Sequence, residues 1–407
     1  MNSPRRLLVV SHVVHYRHEG KLYAYGPYAR EIDVWADLFP ELVIAAPCRN
    51  EKPPGDNIAF TKANIQMAPQ REAGGDDRCA KVKQILLLPL LIRDLTRAMR
   101  EADAIHVRCP GNLGLLGVLL APLFSRRLVA KYAGQWNGYL GERLALRLQR
   151  GVLRSFWWRG PVTVYGQWPN EPLRVVPFFT SMMTDEMVER AVMVAEKRMA
   201  SQPLRILFSG RLAKEKRVDA LLNAAKILLD RGLGVEMVVV GGGIEEAPLR
   251  RQTKDLGLQR LVRFVGSVSF ETSLKWYEWA DCLVLPSTNS EGWPKAIAEG
   301  MCYGLVCIGV EHGQVRQMLE GRGIVLKSGT AQEIADAIQS VAERPRDFME
   351  MRHKASSWAR QYSLDGLREA LRELLSQRWN VSLPLAAQHR PQEKAFVHEP
   401  DRCIAGL

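Results

Sequence analysis

Residues 290–300, SEGWPKAIAEG, follow the apolar run 282–287, which has the length of a short buried strand. Pro294 suits the first turn of a helix, because an amide there would have no helical partner. Two glutamates stand eight residues apart, Glu291 in the loop and Glu299 a turn or more along the predicted helix. The stretch therefore predicts a strand, a loop and a helix, with carboxylates at two depths. A solvated helix face is the alternative.

The same alternation of strand-like and helix-like segments runs through both halves of the chain. It begins near residue 6 and restarts near residue 204. Such alternation is typical of parallel sheets with crossover helices. We therefore predict an α/β protein with two domains, 1–180 and 181–378, and a mobile tail at 379–407. The predicted strands are 6–11, 42–46, 104–107, 128–132, 204–209, 235–240, 262–265, 282–285 and 305–309; the predicted helices are 27–38, 82–101, 113–124, 217–231, 247–257, 269–280 and 295–303.

The charge of the chain limits its partners. Its 407 residues carry a formal net charge of +12. Residues 1–200 hold 28 Lys and Arg against 19 Asp and Glu, whereas residues 201–407 hold 28 against 25. A basic first half favours an anionic partner such as phosphate groups or acidic lipid. Nucleic acid is disfavoured, because no nucleic-acid-binding motif accompanies the charge.

Cysteines and apolar runs bear on location. The seven cysteines form no CxxC pair and no Cys/His cluster with metal-ligand spacing, a pattern typical of a reducing cytoplasm. We expect no metal site and no cofactor. The longest apolar stretch, 113–124, is shorter than the roughly 20 residues that span a bilayer, and no signal peptide opens the chain. A cytoplasmic protein is expected, with room for peripheral contact with a membrane.

A basic loop, SGRLAKEK, covers residues 209–216 between a predicted strand and a predicted helix. Gly210 permits a tight turn, and Arg211 and Lys216 lie near the helix N-terminus. Cations beside a helix N-terminus suit a diphosphate. Taken alone, the pattern also fits an exposed basic turn.

A glycine loop, VGGGI, follows the predicted strand 235–240. A dinucleotide fingerprint starting at Gly241 would need a further glycine where Glu246 stands, and a carboxylate repels a pyrophosphate. A nicotinamide cofactor is therefore excluded. We expect these glycines to let a nucleotide ring or sugar pass close to the backbone.

Three predicted strands are each followed by a distinctive loop, and in chain order these loops read GRLAKEK, GGG and SEGWPKAIAEG. Together they resemble glycosyltransferase family 4, strongly over 204–340 and loosely before it. The resemblance implies the GT-B fold, with two Rossmann-like, doubly wound domains facing across a cleft. It implies a retaining transferase and a nucleotide-sugar donor, with UDP preferred over GDP. Arg211, Lys216 and Glu291 would be catalytic, the first two holding the diphosphate and Glu291 the sugar. Glu299 would bind the ribose. The other implied donor contacts are Gly26, Gly210, Gly241, Arg263, Phe264, Gly292, Trp293, Pro294 and Lys295.

The first half departs from the family pattern. The family's glycine-rich loop corresponds to a long predicted loop, 12–27, in which Gly26 is the candidate for close approach and Gly20 the alternative. The histidines of this loop are expected to be solvated: His12, His15 and His18.

Many relatives carry a histidine after the strand predicted at 128–132, but this chain continues KYAGQW. No general base can be assigned. A front-face mechanism fits, in which the leaving phosphate takes the acceptor proton. Gln135 and His106 are candidate contacts to donor or acceptor, and His106 could equally be structural.

Arg143, Arg147, Arg150 and Arg154 share one side of a predicted helix, with leucines and two tryptophans nearby. This basic stripe fits a helix lying in an anionic membrane surface. A half-buried helix with a solvated arginine edge fits equally well.

The sequence thus predicts a metal-independent glycosyltransferase. Its acceptor would be a glycan or polyprenyl-linked glycan in cell-surface polysaccharide or lipopolysaccharide assembly. Two other hypotheses remain, a GT-B sugar-nucleotide epimerase or hydrolase and a non-enzymatic membrane-associated scaffold.

Overall fold

The structure is a computed structural model that describes residues 3–72, 78–139, 142–199, 201–288 and 292–384, without the side chains of 78–85. Its first half is built on a sheet with the parallel order β6–β4–β1–β7–β8–β9–β10. The elements of this half are β1 (Arg6–Val10), β2 (His15–His18), β3 (Lys21–Tyr25), α1 (Gly26–Ala36), β4 (Glu41–Arg49), β5 (Asn57–Ala59), β6 (Ile65–Gln70), α2 (Arg78–Arg100), β7 (Ala104–Cys109), α3 (Asn112–Leu120), β8 (Arg127–Tyr132), α4 (Leu144–Arg154), β9 (Val162–Tyr165) and β10 (Val175–Phe178).

The second half repeats the design with a six-stranded parallel sheet of order β13–β12–β11–β14–β15–β16. Its elements are α5 (Asp185–Glu196), β11 (Leu204–Ser209), α6 (Val218–Asp230), β12 (Val235–Val240), α7 (Glu246–Asp255), β13 (Val262–Gly266), α8 (Phe270–Trp279), β14 (Cys282–Leu285), α9 (Lys295–Cys302), β15 (Val306–Val310), α10 (Val315–Leu319), β16 (Ile324–Leu326), α11 (Ala331–Glu343), α12 (Met349–Ala359) and α13 (Leu364–Trp379).

Each sheet has one place where the strand order reverses. In the first half it lies beside β1, which pairs with β4 on one side and β7 on the other. In the second half it lies beside β11, between β12 and β14. Doubly wound sheets bind ligands at such switch points, outside the carboxyl ends of the strands. The predicted α/β architecture with two Rossmann-like sheets is confirmed.

The predicted loop at 12–27 is wrong, because the structure folds it into an antiparallel hairpin of β2 and β3. Glu19 and Gly20 form the turn with φ of 48° and 72°. Two successive residues with positive φ match the twist of a tight hairpin. β2 pairs in parallel with the end of β4, and β3 pairs antiparallel with β5. Charged residues hide the strand pattern in this segment.

The last helix, α13, returns to the first half. Leu367, Leu371 and Leu375 repeat every four residues and pack into the same core as Trp35 of α1. Arg368 pairs with Asp37 at 2.8 Å. The two halves are therefore tied by the end of the chain as well as by the connection after β10. Among the described helices, none is both long and apolar enough to cross a membrane.

Candidate functional site

The loops after β11 and β14 meet at the second switch point. The backbone N–H of Thr288 donates to the carbonyl of Glu215 at 3.0 Å, which joins the two loops. Arg211 is largely exposed and contacts Glu215 at 3.0 Å, and Lys216 closes the short 3-10 turn before α6. The basic pair thus stands beside the loop that leads to α9. Glu291 lies outside the described residues.

The glycines after β12 bring two loops of the chain together. A Cβ on Gly241 would lie 1.9 Å from the carbonyl oxygen of Gly210, and one on Gly243 would lie 2.2 Å from that of Leu212. The backbone N–H of Leu212 also donates to the carbonyl of Gly242 at 2.9 Å. These glycines therefore permit a close approach between two loops of the chain, and approach of a ligand to the same backbone stays a prediction. The contact between the loops fixes the shape of the basic loop.

Glu299 is buried in α9 near this loop pair. The hydroxyl of Tyr277 donates to Glu299 Oε2 at 2.8 Å. Burial raises the pKa of Glu299, which the Tyr277 hydrogen bond and the charge of Lys295 partly offset. Tyr277 is the carboxylate's hydrogen-bond donor among the described residues, so it retains acceptor capacity for a ligand.

The residues before α9 differ in their roles. Pro294 caps α9 rather than entering its first turn, and Lys295 is the first helical residue. Trp293 is buried and packs on Tyr165 of β9 and on Tyr362, with ring centroids 6.1 Å and 5.1 Å apart. Its indole is therefore an interdomain packing group, and a donor contact at Trp293 stays a prediction for the backbone rather than for the ring.

Gly292 sits where the two halves touch. A Cβ there would lie 2.9 Å from the ring of Tyr165 and 3.2 Å from the backbone of Gly134. Gln135, a predicted contact, follows Gly134 and is half-buried beside this junction.

Arg263 and Phe264 do not reach the cleft with their side chains. Both lie inside β13, short of its end. The guanidinium of Arg263 stacks on Trp276 at 5.3 Å, and Phe264 lies under Arg250 at 4.9 Å. The end of β13 that faces the switch point is Gly266.

On the opposite side of the cleft, Tyr25 stands at the end of β3. Burial and the charge of Asp56 raise its pKa, whereas Arg211, Lys216 and Arg108 lower it. One phenol thus lies within electrostatic reach of two cations from the second half and one from the first.

Gly26 opens α1 as predicted, but its N–H donates to the carbonyl of Asp56 at 2.9 Å. This amide is already committed within the chain. It is therefore not a donor for a phosphate in this conformation.

Two histidines differ from expectation. His15 is buried, stacks on Phe60 and has a pKa lowered by burial to about 4, so it is not solvated. His106 is fully buried and stacks on Trp35 at 4.3 Å. Burial lowers its pKa to about 3. His106 is a structural residue, since its ring does not reach the cleft.

A buried charge cluster near the ends of β7 and β8 escaped prediction. Lys131 Nζ lies 2.8 Å from Glu31 Oε2, and Arg108 Nη1 lies 3.5 Å from Glu31 Oε1. Burial alone would raise the pKa of Glu31, but Lys131 and Arg108 lower it to about 2. The sequence contained one indication of this cluster, a lysine inside an otherwise apolar predicted strand.

Only one arginine of the basic stripe is buried. Arg150 forms an ion pair with Glu142, and Arg154 is half-buried and contacts Glu171 at 2.6 Å. The predicted membrane contact is therefore wrong for Arg150. Arg143 and Arg147 are exposed. Large apolar side chains are exposed on the same segment, and we call them the α4 apolar face: Leu144, Leu148, Phe156 and Trp157.

Within the part of the chain that the structure describes, no group of three or more His, Cys, Asp or Glu side chains is placed to hold an ion.

Comparison with known proteins agrees with this architecture. Residues 190–362 match the family model for glycosyl transferases of group 1. The chain is 31% identical over 155 residues to the amylovoran biosynthesis glycosyltransferase AmsK of Erwinia amylovora, covering 36% of this chain and 38% of that protein. It is 26% identical to a D-inositol 3-phosphate glycosyltransferase of Corynebacterium aurimucosum over 49% of each chain. The chain thus spans half or less of the length of these relatives.

Solved structures match over more of the chain. Anabaena HepE in complex with UDP is similar with a TM-score of 0.66 and 15% identity, over 92% of this chain and 100% of that one. Sucrose-phosphate synthase of Thermosynechococcus elongatus is similar with a TM-score of 0.67 and 18% identity, over 92% and 99%. At these identities the likeness establishes the fold, which is the GT-B arrangement.

Proposed function

We propose that this chain, whose residues 190–362 match the model for glycosyl transferases of group 1, is such an enzyme and transfers a sugar from a nucleotide-sugar to a glycan or lipid-linked glycan. The observation that carries the proposal is the meeting of the basic loop with the loop before α9, joined by the hydrogen bond from Thr288 to Glu215. This places Arg211 and Lys216 at a switch point, where doubly wound folds bind ligands.

The donor is proposed to lie along the second half. Arg211 and Lys216 hold the diphosphate, because cations stabilise the negative charge that grows on a leaving phosphate. Glu299 accepts hydrogen bonds from the ribose hydroxyls, using the capacity that Tyr277 leaves. Glu291 is proposed to bind the donor sugar. UDP is the preferred nucleotide, a choice supported by HepE, which was solved with UDP and with UDP-glucose.

The proposed chemistry proceeds with retention. The bond between the anomeric carbon and the phosphate oxygen breaks, the acceptor hydroxyl attacks from the same face, and the leaving phosphate takes its proton. The protein supplies position and charge. Burial of His106 supports this mechanism over one with a histidine base at that position. Activity is expected to persist in excess chelator, since a cationic pair can neutralise the diphosphate.

The acceptor is proposed to be presented at an anionic membrane. Phe156 and Leu144 have 86% and 78% of their surface exposed, although large apolar side chains gain free energy by leaving water. Arg147 and Arg159 are exposed nearby and suit acidic headgroups. The α4 apolar face therefore replaces the basic stripe as the proposed membrane contact.

The experiment that tests transfer compares UDP-sugar consumption with and without a crude lipid-linked glycan fraction. A transferase consumes donor only when the acceptor fraction is present, and the sugar appears on that fraction. Equal consumption of donor in both samples would favour a hydrolase, which releases UDP and free sugar, or an epimerase, which yields an isomeric UDP-sugar.

A further inference from the structure

A net positive charge is buried on the side of the cleft opposite the basic loop. Arg108 and Lys131 are cross-strand partners on β7 and β8, on the face of the sheet that α1 covers. Glu31 of α1 is the carboxylate that contacts both. The side chains of Arg108, Lys131 and Glu31 are 15%, 4% and 2% exposed. Two cations thus share one anion in a largely buried place.

The carboxylate is shared unequally. Glu31 Oε2 receives Lys131 Nζ at 2.8 Å and the hydroxyl of Thr180 at 3.3 Å. Arg108 reaches Oε1 at 3.5 Å, the limit of a hydrogen bond, and otherwise lies over the ring of Tyr28 at 5.0 Å. Lys131 is therefore the closer partner of Glu31, Arg108 the weaker one, and two cations with one carboxylate leave one positive charge unbalanced.

Among the described residues, the neighbouring titratable groups do not neutralise it. Burial lowers the pKa of His106 to about 3, and burial followed by the charge of Arg108 lowers that of His12. Burial raises the pKa of Tyr165 to about 12 and that of Tyr28 further. These four groups are uncharged near pH 7. Lys295, which faces Tyr165 from α9, adds positive charge.

We propose that Arg108, held in place by the Lys131–Glu31 pair, binds an anionic group of the acceptor, a phosphate or a carboxylate. Burying an uncompensated charge is costly, so an anionic partner is expected. A guanidinium suits such a group because it can donate two parallel hydrogen bonds. Arg108 lies near the end of β7, at the switch point of the first half, whereas the diphosphate is assigned to the second half. The assignment to the acceptor rests on the proposed function.

The first test measures binding of inorganic phosphate to the full chain saturated with UDP, by thermal shift at constant ionic strength. UDP fills the diphosphate site, so the added anion reports on the remaining one. Acetate in a parallel series tests the carboxylate alternative. Wild type should be stabilised by at least one of the two anions. Arg108→Gln should bind that anion about tenfold or more weakly, since hydrogen bonds to charged groups are among the stronger ones.

Matched controls separate this site from the donor site. Arg108→Gln should keep wild-type affinity for UDP, whereas Arg211→Gln should lose UDP affinity. Arg346→Gln, at an exposed arginine with no assigned role, should change neither. Arg108→Lys keeps the charge and serves as the second variant if Arg108→Gln does not fold; it should retain part of the phosphate shift.

A redistribution of charge gives the sharpest test. Lys131→Met releases Glu31 to pair with Arg108, so anion affinity should fall although Arg108 is intact. The double variant Glu31→Gln with Lys131→Met removes both pair members and should restore the affinity. A merely structural role for Lys131 predicts no such restoration.

The proposal would be overturned if Arg108→Gln bound the anion as strongly as wild type does. It would also be overturned if neither phosphate nor acetate bound to UDP-saturated wild type. Joint loss of UDP and phosphate in Arg108→Gln would also overturn it and assign Arg108 to the diphosphate. If UDP fails to bind wild type, the donor assignment is wrong, and titration of the UDP-free protein with phosphate still compares wild type with Arg108→Gln.

Discussion

Two buried glutamates on opposite sides of the cleft have pKa values that are shifted in opposite directions. The pKa of Glu31 in α1 is lowered to about 2, because Lys131 and Arg108 outweigh its burial. The pKa of Glu299 in α9 is raised, because burial outweighs Tyr277 and Lys295. Both side chains are removed from water to a similar degree. The difference lies in their partners.

The comparison distinguishes a carboxylate used for architecture from one available to a ligand. The carboxylate oxygens of Glu31 contact Lys131, Thr180 and Arg108. Glu299 receives one hydrogen bond from the residues that the structure describes, that of Tyr277. A buried carboxylate with few internal donors gains most from a ligand that brings hydroxyls.

The largest effect on stability is expected from removing the carboxylate of Glu31. Glu31→Ala leaves Lys131 and Arg108 buried without their anion, and removing one partner of a buried pair costs about 3–5 kcal/mol. Urea unfolding should show a loss of this size. Asp230→Ala, which breaks an exposed pair with Lys226, is the control and should cost about 1 kcal/mol or less. Equal losses in the two variants would contradict the role given to Glu31.

The next effect concerns the basic loop. Arg211→Ala and Lys216→Ala should each lower turnover by about 10²-fold, the typical consequence of removing a group that stabilises transition-state charge. Initial rates with saturating donor measure this. Lys226→Ala, at an exposed lysine on α6, should retain the wild-type rate. Near-wild-type rates in both loop variants would remove the diphosphate assignment.

A smaller effect is expected at Glu299. Glu299→Gln should bind UDP about tenfold more weakly, because a neutral amide replaces a charged acceptor. In wild type, affinity for UDP should fall as the pH drops towards the raised pKa of Glu299, since protonation removes the charge. Glu31 stays ionised there, as its stabilising effect is lost only between pH 4.5 and about 2. Calorimetry with a UDP-sugar, whose diphosphate does not titrate between pH 7 and 5, should show a steeper fall in wild type than in Glu299→Gln; parallel profiles would exclude the ribose role.

The smallest effect belongs to the α4 apolar face. Phe156→Ser should weaken binding to anionic vesicles about fivefold, corresponding to about 1 kcal/mol for a side chain that only partly enters the bilayer. Met349→Ser, at an exposed side chain on α12, is the matched control. Co-sedimentation at low salt measures both. Wild type that remains in the supernatant would refute the membrane contact.

Features that depend on residues close together in sequence could be predicted from the sequence. The strands at 204–209, 235–240 and 282–285 coincide with β11, β12 and β14. The loops that follow them could be recognised because strand, glycine and basic residues are neighbours in sequence. Their meeting at one edge follows from parallel topology alone.

The remaining features depend on contacts between distant residues. Arg108 and Lys131 meet Glu31 only through the register of β7 with β8 and the packing of α1. Arg154 turns inward because Glu171, 17 residues later, receives it. Trp293 packs on Tyr362 after a further 69 residues. Local patterns specify strands and loops, but not which buried charge finds a partner.

The basic loop and α9 are proposed to form a nucleotide-sugar site. Thermal unfolding of wild type and of the Arg211→Ala/Lys216→Ala double variant with UDP-, GDP- and ADP-sugars tests it most directly, since a ligand that binds only the folded state raises the melting temperature. We expect stabilisation of wild type by a UDP-sugar above the others, and none in the double variant. No shift of wild type with any nucleotide-sugar, or equal shifts in both proteins, would contradict the account.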